Sequence, residues 1–103
     1  ELADKANLAI AAYQSIIDKY PGTKYADLSH LQIADSYLLI ADANQGADAK
    51  TQYEKAINAY DDLRTRYQAT PPSDAQVSQA VKRAQQQIGI ISGYLAEQKK
   101  RGQ

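Results

Sequence analysis

Ala9-Ile10-Ala11-Ala12-Tyr13-Gln14-Ser15-Ile16-Ile17-Asp18-Lys19-Tyr20 returns 47 positions later as Ala56-Ile57-Asn58-Ala59-Tyr60-Asp61-Asp62-Leu63-Arg64-Thr65-Arg66-Tyr67. Five of the twelve positions are identical, and Ile16/Leu63 and Lys19/Arg66 are conservative matches. Abundant Ala imitates part of such a match, but not two Tyr pairs at one spacing. Within each copy the apolar residues recur at three- and four-residue steps, which places them on one helix face. A period of this size signals stacked helical hairpins, none of which buries its apolar face alone.

Turn chemistry on either side of the copies divides the chain into four segments. Pro21-Gly22-Thr23 stops the first, because Pro lacks an N–H and Gly tolerates left-handed backbone. Asn44-Gln45-Gly46 stops the second, Thr70-Pro71-Pro72-Ser73-Asp74 the third, and Gly102 the fourth. Ser73 reads as the N-cap of the fourth, with Gln76 at the capping-box position. The predicted helices run over 2–20, 24–43, 48–68 and 74–100, in one domain covering 1–103. In the second, Leu28, Leu31, Ile33, Ala34, Tyr37, Leu38 and Ile40 cover more than a narrow stripe, which implies contact on two sides. Nothing alternates with period two, so the fold class is all-α, an α-solenoid of four antiparallel helices.

Composition agrees. Ala contributes 18 residues and Gln 12, against 2 Val and no Phe, Trp or Met, a helix-former's alphabet. The 12 Lys+Arg balance the 12 Asp+Glu, which argues against a nucleic-acid partner, since that needs a cationic surplus. The balance is uneven along the chain: residues 1–50 hold 7 acids and 4 bases (−3), residues 51–103 hold 5 and 8 (+3). This reads as ordinary solvated faces or as a polarised rod whose ends attract. No transmembrane segment is expected, because the longest apolar run, Tyr37–Ala41, is broken by Asp35 and Asp42. Starting at Glu1 without any Met, the sequence reads as a processed chain, an excised piece or an incompletely known one.

The pattern resembles the tetratricopeptide repeat family. Ala9, Tyr13, Ile16 and Pro21 stand at the spacing of that family's second helix, and Ile33-Ala34 with Tyr37 at that of its first. Ala56, Tyr60 and Leu63 give another second-helix copy, with Gln68 in place of the Pro. Ile88-Gly89, with Ser92 where Tyr is expected, would be a degenerate third first-helix. The resemblance implies that these residues pack repeat on repeat, the small ones admitting a neighbouring helix and the Tyr filling the gap. The phrase from Tyr13 through Asp18-Lys19-Tyr20-Pro21-Gly22-Thr23-Lys24-Tyr25-Ala26 is most similar to the bacterial envelope branch. That branch includes the outer-membrane β-barrel assembly lipoprotein and the Tol-Pal coordinator. The implied location is the periplasm, the outer-membrane surface or the cell exterior.

Catalytic constellations are not legible. His30 is the single imidazole and Cys is absent, so no triad or multi-His metal site can be assembled. His30 reads as a helix-interface or surface residue, with a ligand-contact or pH-sensing role as the alternative. Asp61 and Asp62 are adjacent on a helix, about 100° apart, and cannot share a proton. Lys99-Lys100-Arg101 complements the helix dipole or, alternatively, meets an acidic surface. Tyr13, Tyr20, Tyr53, Tyr60 and Tyr67 fall in the repeated pattern and are assigned to packing. No cofactor and no enzyme activity are expected.

The resemblance implies a ligand-holding face on the first-type helices. Its positions carry over to Leu28, Leu31, Asp35, Leu38 and Leu39 and, matching Ile33-Ala34 to Ile88-Gly89, to Arg83, Gln86, Ile90, Gly93 and Tyr94. Four Leu on such a face need a cover, either the long fourth helix folding back, which is favoured, or a partner segment. The implied function is a protein–protein interaction scaffold holding a peptide, a helix or a neighbouring subunit. The alternative is a structural subunit that stacks on copies of itself, head to tail, into an oligomer or filament.

Overall fold

The computed structural model describes residues 2–44 and 47–101, with the backbone alone at Ala47 and Asp48. Four helices make up the fold: α1 (Leu2–Lys19), α2 (Lys24–Ala43), α3 (Ala47–Arg66) and α4 (Ala75–Lys100). The described residues contain no strand, and the protein is all-α. Consecutive helices pack as antiparallel neighbours. Among the described residues α2 touches all three other helices, α3 touches α2 and α4, and α1 touches α2 alone. The result is a slab of 43 × 31 × 16 Å, two helix layers thick. No helix among the described residues is long and apolar enough to cross a membrane.

Local chemistry sets the boundaries. α1 stops because Gly22 takes φ +78, a left-handed geometry that L side chains resist. Thr23 then joins the two helices. Its hydroxyl donates to the Tyr20 carbonyl at 2.7 Å and accepts from the Ala26 amide at 3.3 Å, capping α2. Asn44 closes α2, its amide donating to the Ile40 and Ala41 carbonyls; Gln45 and Gly46 of the expected stop lie outside the described residues. So does Gly102, and α4 ends with Arg101 as its C-cap.

One cap departs from the sequence reading. Asp74, not Ser73, caps α4, accepting from the Gln76 and Val77 amides at 2.9 and 3.1 Å. A carboxylate answers the positive end of a helix dipole better than a hydroxyl. The Val77 amide holds the Asp74 carboxyl below its ordinary range, and Lys24, at 3.5 Å, adds to this.

The core lies between α2, α3 and α4. Tyr60 and Leu63 are 0 % exposed, beneath Leu31, Val77, Val81 and Ile91. Burial of that kind contributes about 1.5–3 kcal/mol per large side chain. Ala26, Ala34, Ala41, Ala56 and Ala84 are also fully buried, and their small size lets the helix backbones approach.

The two copies of the repeated phrase fare differently. Ala56, Tyr60 and Leu63 are buried, whereas Ala9, Tyr13 and Ile16 at the same positions of α1 are half-buried. α3 has helices on two sides and α1 has one, so half of the same apolar stripe stays open. Two expected packing residues are outside the core altogether: Pro21 is exposed at the turn, and Tyr20 is 57 % exposed. Ile33 and Ala34 are buried, and Tyr37 is half-buried under the Lys55 ammonium, 5.8 Å from its ring centre.

Candidate partner-binding groove

α2 and α4 are both antiparallel to α3 and therefore run side by side in the same direction. Polar contacts tie them at two levels. Near their starts, Lys24 Nζ donates to Gln76 Oε1 at 2.9 Å and lies 3.5 Å from Asp74 Oδ2. Midway, Arg83 Nη2 reaches Asp35 Oδ1 at 3.4 Å. Between these ties and beyond them the helices part into two shallow clefts.

The lower cleft, about 520 Å³, has an apolar wall of Leu28 and Leu31 facing Gln76, Gln79 and Arg83. The upper one, about 450 Å³, is bounded by Leu38 and Asp42 on one side and Gln87, Ile90 and Tyr94 on the other. Both open widely to solvent, a shape that suits a segment laid along them better than an enclosed small molecule. Ile90 is 65 % exposed, and the Tyr94 ring leans on Tyr53 of α3, centroids 5.2 Å apart.

Behind the groove, two phenols of α3 and that of Tyr67, the first residue past its end, donate to three carboxylates of α2. Tyr53 bonds Asp42 at 2.7 Å, Tyr60 bonds Asp35, and Tyr67 bonds Asp27. The tyrosines stand seven residues apart, two helical turns, so the bonds form a ladder along one seam. Arg66 Nε adds an ion pair to the buried Asp27, 3.0 Å from an oxygen on which its N–H is not aligned for a hydrogen bond. Burial and the carboxylate neighbours keep these phenols protonated. Tyr53 is pushed up to about 12 by burial and then by Asp42. Tyr60 is raised by burial and its Asp35 bond, and Tyr67 by its Asp27 bond and then burial. The middle rung matters most for the groove, because Asp35 accepts from Tyr60 below while pairing with Arg83 above.

Of the residues expected on this face, the structure brings Leu28, Leu31, Asp35, Leu38, Arg83, Ile90 and Tyr94 together along the groove. Leu39 and Gln86 are exposed but line neither cleft, since each is turned about 100° from Leu38 and Gln87, which do. Gly93 is exposed and lines neither cleft. The register explains the difference. Asp35 meets Arg83, 48 residues on, and Lys24 meets Asp74 and Gln76, 50 and 52 on. Matching Ile33-Ala34 to Ile88-Gly89 implies 55. A register nearer the 47-residue repeat would have pointed to Gln76, Gln79 and Gln87, which the sequence reading missed.

The expected internal cover is partial. α4 brings Leu31 to 9 % exposure but leaves Leu28 and Leu38 half-buried and Leu39 48 % exposed. His30 is half-buried beside Arg66, and burial followed by that guanidinium lowers its pKa against the opposing pull of Asp62 and Asp27. Asp61 pairs with Arg64 one turn on, whereas Asp62 is exposed. Compared with known proteins, the chain matches no family model, no curated protein and no solved structure.

Proposed function

We propose that the chain is a non-catalytic protein-interaction scaffold, a tetratricopeptide-like array that holds a peptide or helix along the α2/α4 groove. The observation that carries this reading is the groove itself: apolar walls of Leu28 and Leu38, exposed Ile90 and Tyr94, and a fixed Asp35–Arg83 pair at its centre. Apolar side chains of a bound segment would enter the two clefts, and its backbone amides or carbonyls would meet Asp35, Arg83 and the Gln side chains. The resemblance to envelope tetratricopeptide proteins extends the proposal to a periplasmic or outer-membrane-associated site of action.

Self-stacking head to tail is the second reading, and the open stripe on α1 favours it. Its difficulty is at the other end. The outward face of α4 offers Lys82, Gln85, Gln86, Gly89 and Ser92, all exposed and none of them a large apolar residue. A polar outer face of this kind is what ends an array rather than extends it.

The test is selection of peptides from a random display library on the immobilised chain. Winners should carry apolar anchors and lose binding to an Ile90→Glu variant of unchanged helicity. Winners that bind that variant and an Arg83→Glu variant as well as the parent would place the interaction elsewhere. Leu31 is unsuitable for this test, since it is part of the core.

A further inference from the structure

The apolar stripe of α1 is left half open, and the chain itself contains the pattern for what fits it. On α3, the stripe Ala56-Tyr60-Leu63 is buried between α2 and α4, and its α2 edge meets two carboxylates. Asp35 takes the Tyr60 hydroxyl, and Asp27 takes the Tyr67 hydroxyl and the Arg66 charge. A shift of 47 carries Tyr60, Arg66 and Tyr67 onto Tyr13, Lys19 and Tyr20. The match holds in structure as well, since Arg66 and Lys19 are the last residues of their helices and Tyr67 and Tyr20 the first beyond them. Yet Tyr13, Lys19 and Tyr20 make no side-chain hydrogen bond or ion pair among the described residues. At the end of α1, then, the counterparts of the cation and the two phenols that grip carboxylates beside α3 are present, and among the described residues no carboxylate meets them.

We infer that the α1 face docks an amphipathic helix of a partner protein, antiparallel to α1, carrying two carboxylates eight residues apart beside an apolar stripe. The spacing is that of Asp27 and Asp35 on α2. The lower carboxylate sits between Lys19 and Tyr20, and the upper one accepts from Tyr13. Charge selects the partner: a helix with a base at either position would set it against Lys19 or leave a phenol unanswered. This requirement also rejects a second copy docking through α4. That helix places Lys82 eight residues after Asp74 and Gly89 eight before Glu97. The third rung, Tyr53 with Asp42, has Ala6 at its α1 position, so no third carboxylate is specified.

The experiment uses the full chain and a probe made from its own α2 sequence, a synthetic peptide of residues 24–44 held helical by a lactam bridge joining positions 32 and 36. Binding is followed by fluorescence anisotropy, and the site by a photo-crosslinker at peptide position 31. The expected result is crosslinking to α1 and about a tenfold loss of affinity when Asp27 and Asp35 of the peptide, but not Asp42, become Asn. A Tyr13→Phe/Tyr20→Phe chain should lose a similar factor. Combining that chain with the Asn peptide should cost little more, because the two changes remove the same bonds. Circular dichroism of the Tyr13→Phe/Tyr20→Phe chain should match the parent, since the side chains are half-buried and exposed. Equal binding by the Asn peptide, crosslinks confined to the α2/α4 groove, or no binding at millimolar peptide would overturn the inference. An Ile90→Glu chain should bind the probe as the parent does, so failure of this site and failure of the groove are read separately.

Discussion

Leu63 and Ile16 occupy the same place in the two copies of the repeated phrase, and truncating each to Ala measures what the second layer of helices contributes. Leu63 is 0 % exposed between α2 and α4. Leu63→Ala deletes a fully enclosed isobutyl group and leaves a cavity, which costs about 3–4 kcal/mol. Ile16 packs on α2 from one side and is half-buried. Ile16→Ala therefore loses roughly half the transfer term, and water fills the open side, so the cost is about 1–1.5 kcal/mol. The difference of about 2 kcal/mol corresponds to about 10 °C in melting temperature for a domain of this size. Urea denaturation of both variants, followed by far-UV circular dichroism at low micromolar concentration, gives the two losses directly. Equal losses would refute the reasoning. They would mean that in solution the α1 stripe is covered as fully as the α3 stripe, by a contact the isolated chain does not contain.

Three further outcomes follow from the same geometry. The raised phenols bind protons more tightly folded than unfolded, so their stabilisation is complete below pH 10 and drains away as pH rises towards 12. Alkaline unfolding should be shallower in Tyr53→Phe, and Tyr60→Phe should also lose about 1–2 kcal/mol at pH 7 by taking a donor from Asp35; a Tyr60→Phe chain as stable as the parent would deny the ladder any role. Asp74→Ala should lower the melting temperature and Ser73→Ala should leave it in place, the reverse order favouring Ser73 as the cap. Gly89→Ala and Gly93→Ala should each stabilise by about 1 kcal/mol, because a Cβ there meets nothing within 4 Å, whereas Gly22→Ala should destabilise through its positive φ. Thermal melts of the three variants check the signs.

The architecture was readable because helices leave a periodic imprint. Pro21-Gly22 and Thr70–Asp74 bracket helices whose observed ends fall within two residues of the expected ones, and the missed cap is a choice between neighbouring polar residues. The groove was half readable. Leu28, Leu38 and Arg83 follow from the first-helix pattern, but the Gln residues opposite depend on how far α4 slides along α2. That offset is set by Lys24 with Asp74 and by Asp35 with Arg83, contacts between residues about fifty apart. The tyrosine ladder was hidden for a related reason. Tyr53, Tyr60 and Tyr67 are visible as a seven-residue series, but pairing them with Asp42, Asp35 and Asp27 needs the register of two antiparallel helices.

The repeated phrase therefore determined, without tertiary information, that this is an all-α chain with two equivalent apolar stripes, because periodicity is a property of a helix by itself. It could not say that the stripes have different fates. Only packing decided that Tyr60 sits dry between two helices while Tyr13 borders solvent, because burial depends on how many neighbours a helix has and not on what it is made of.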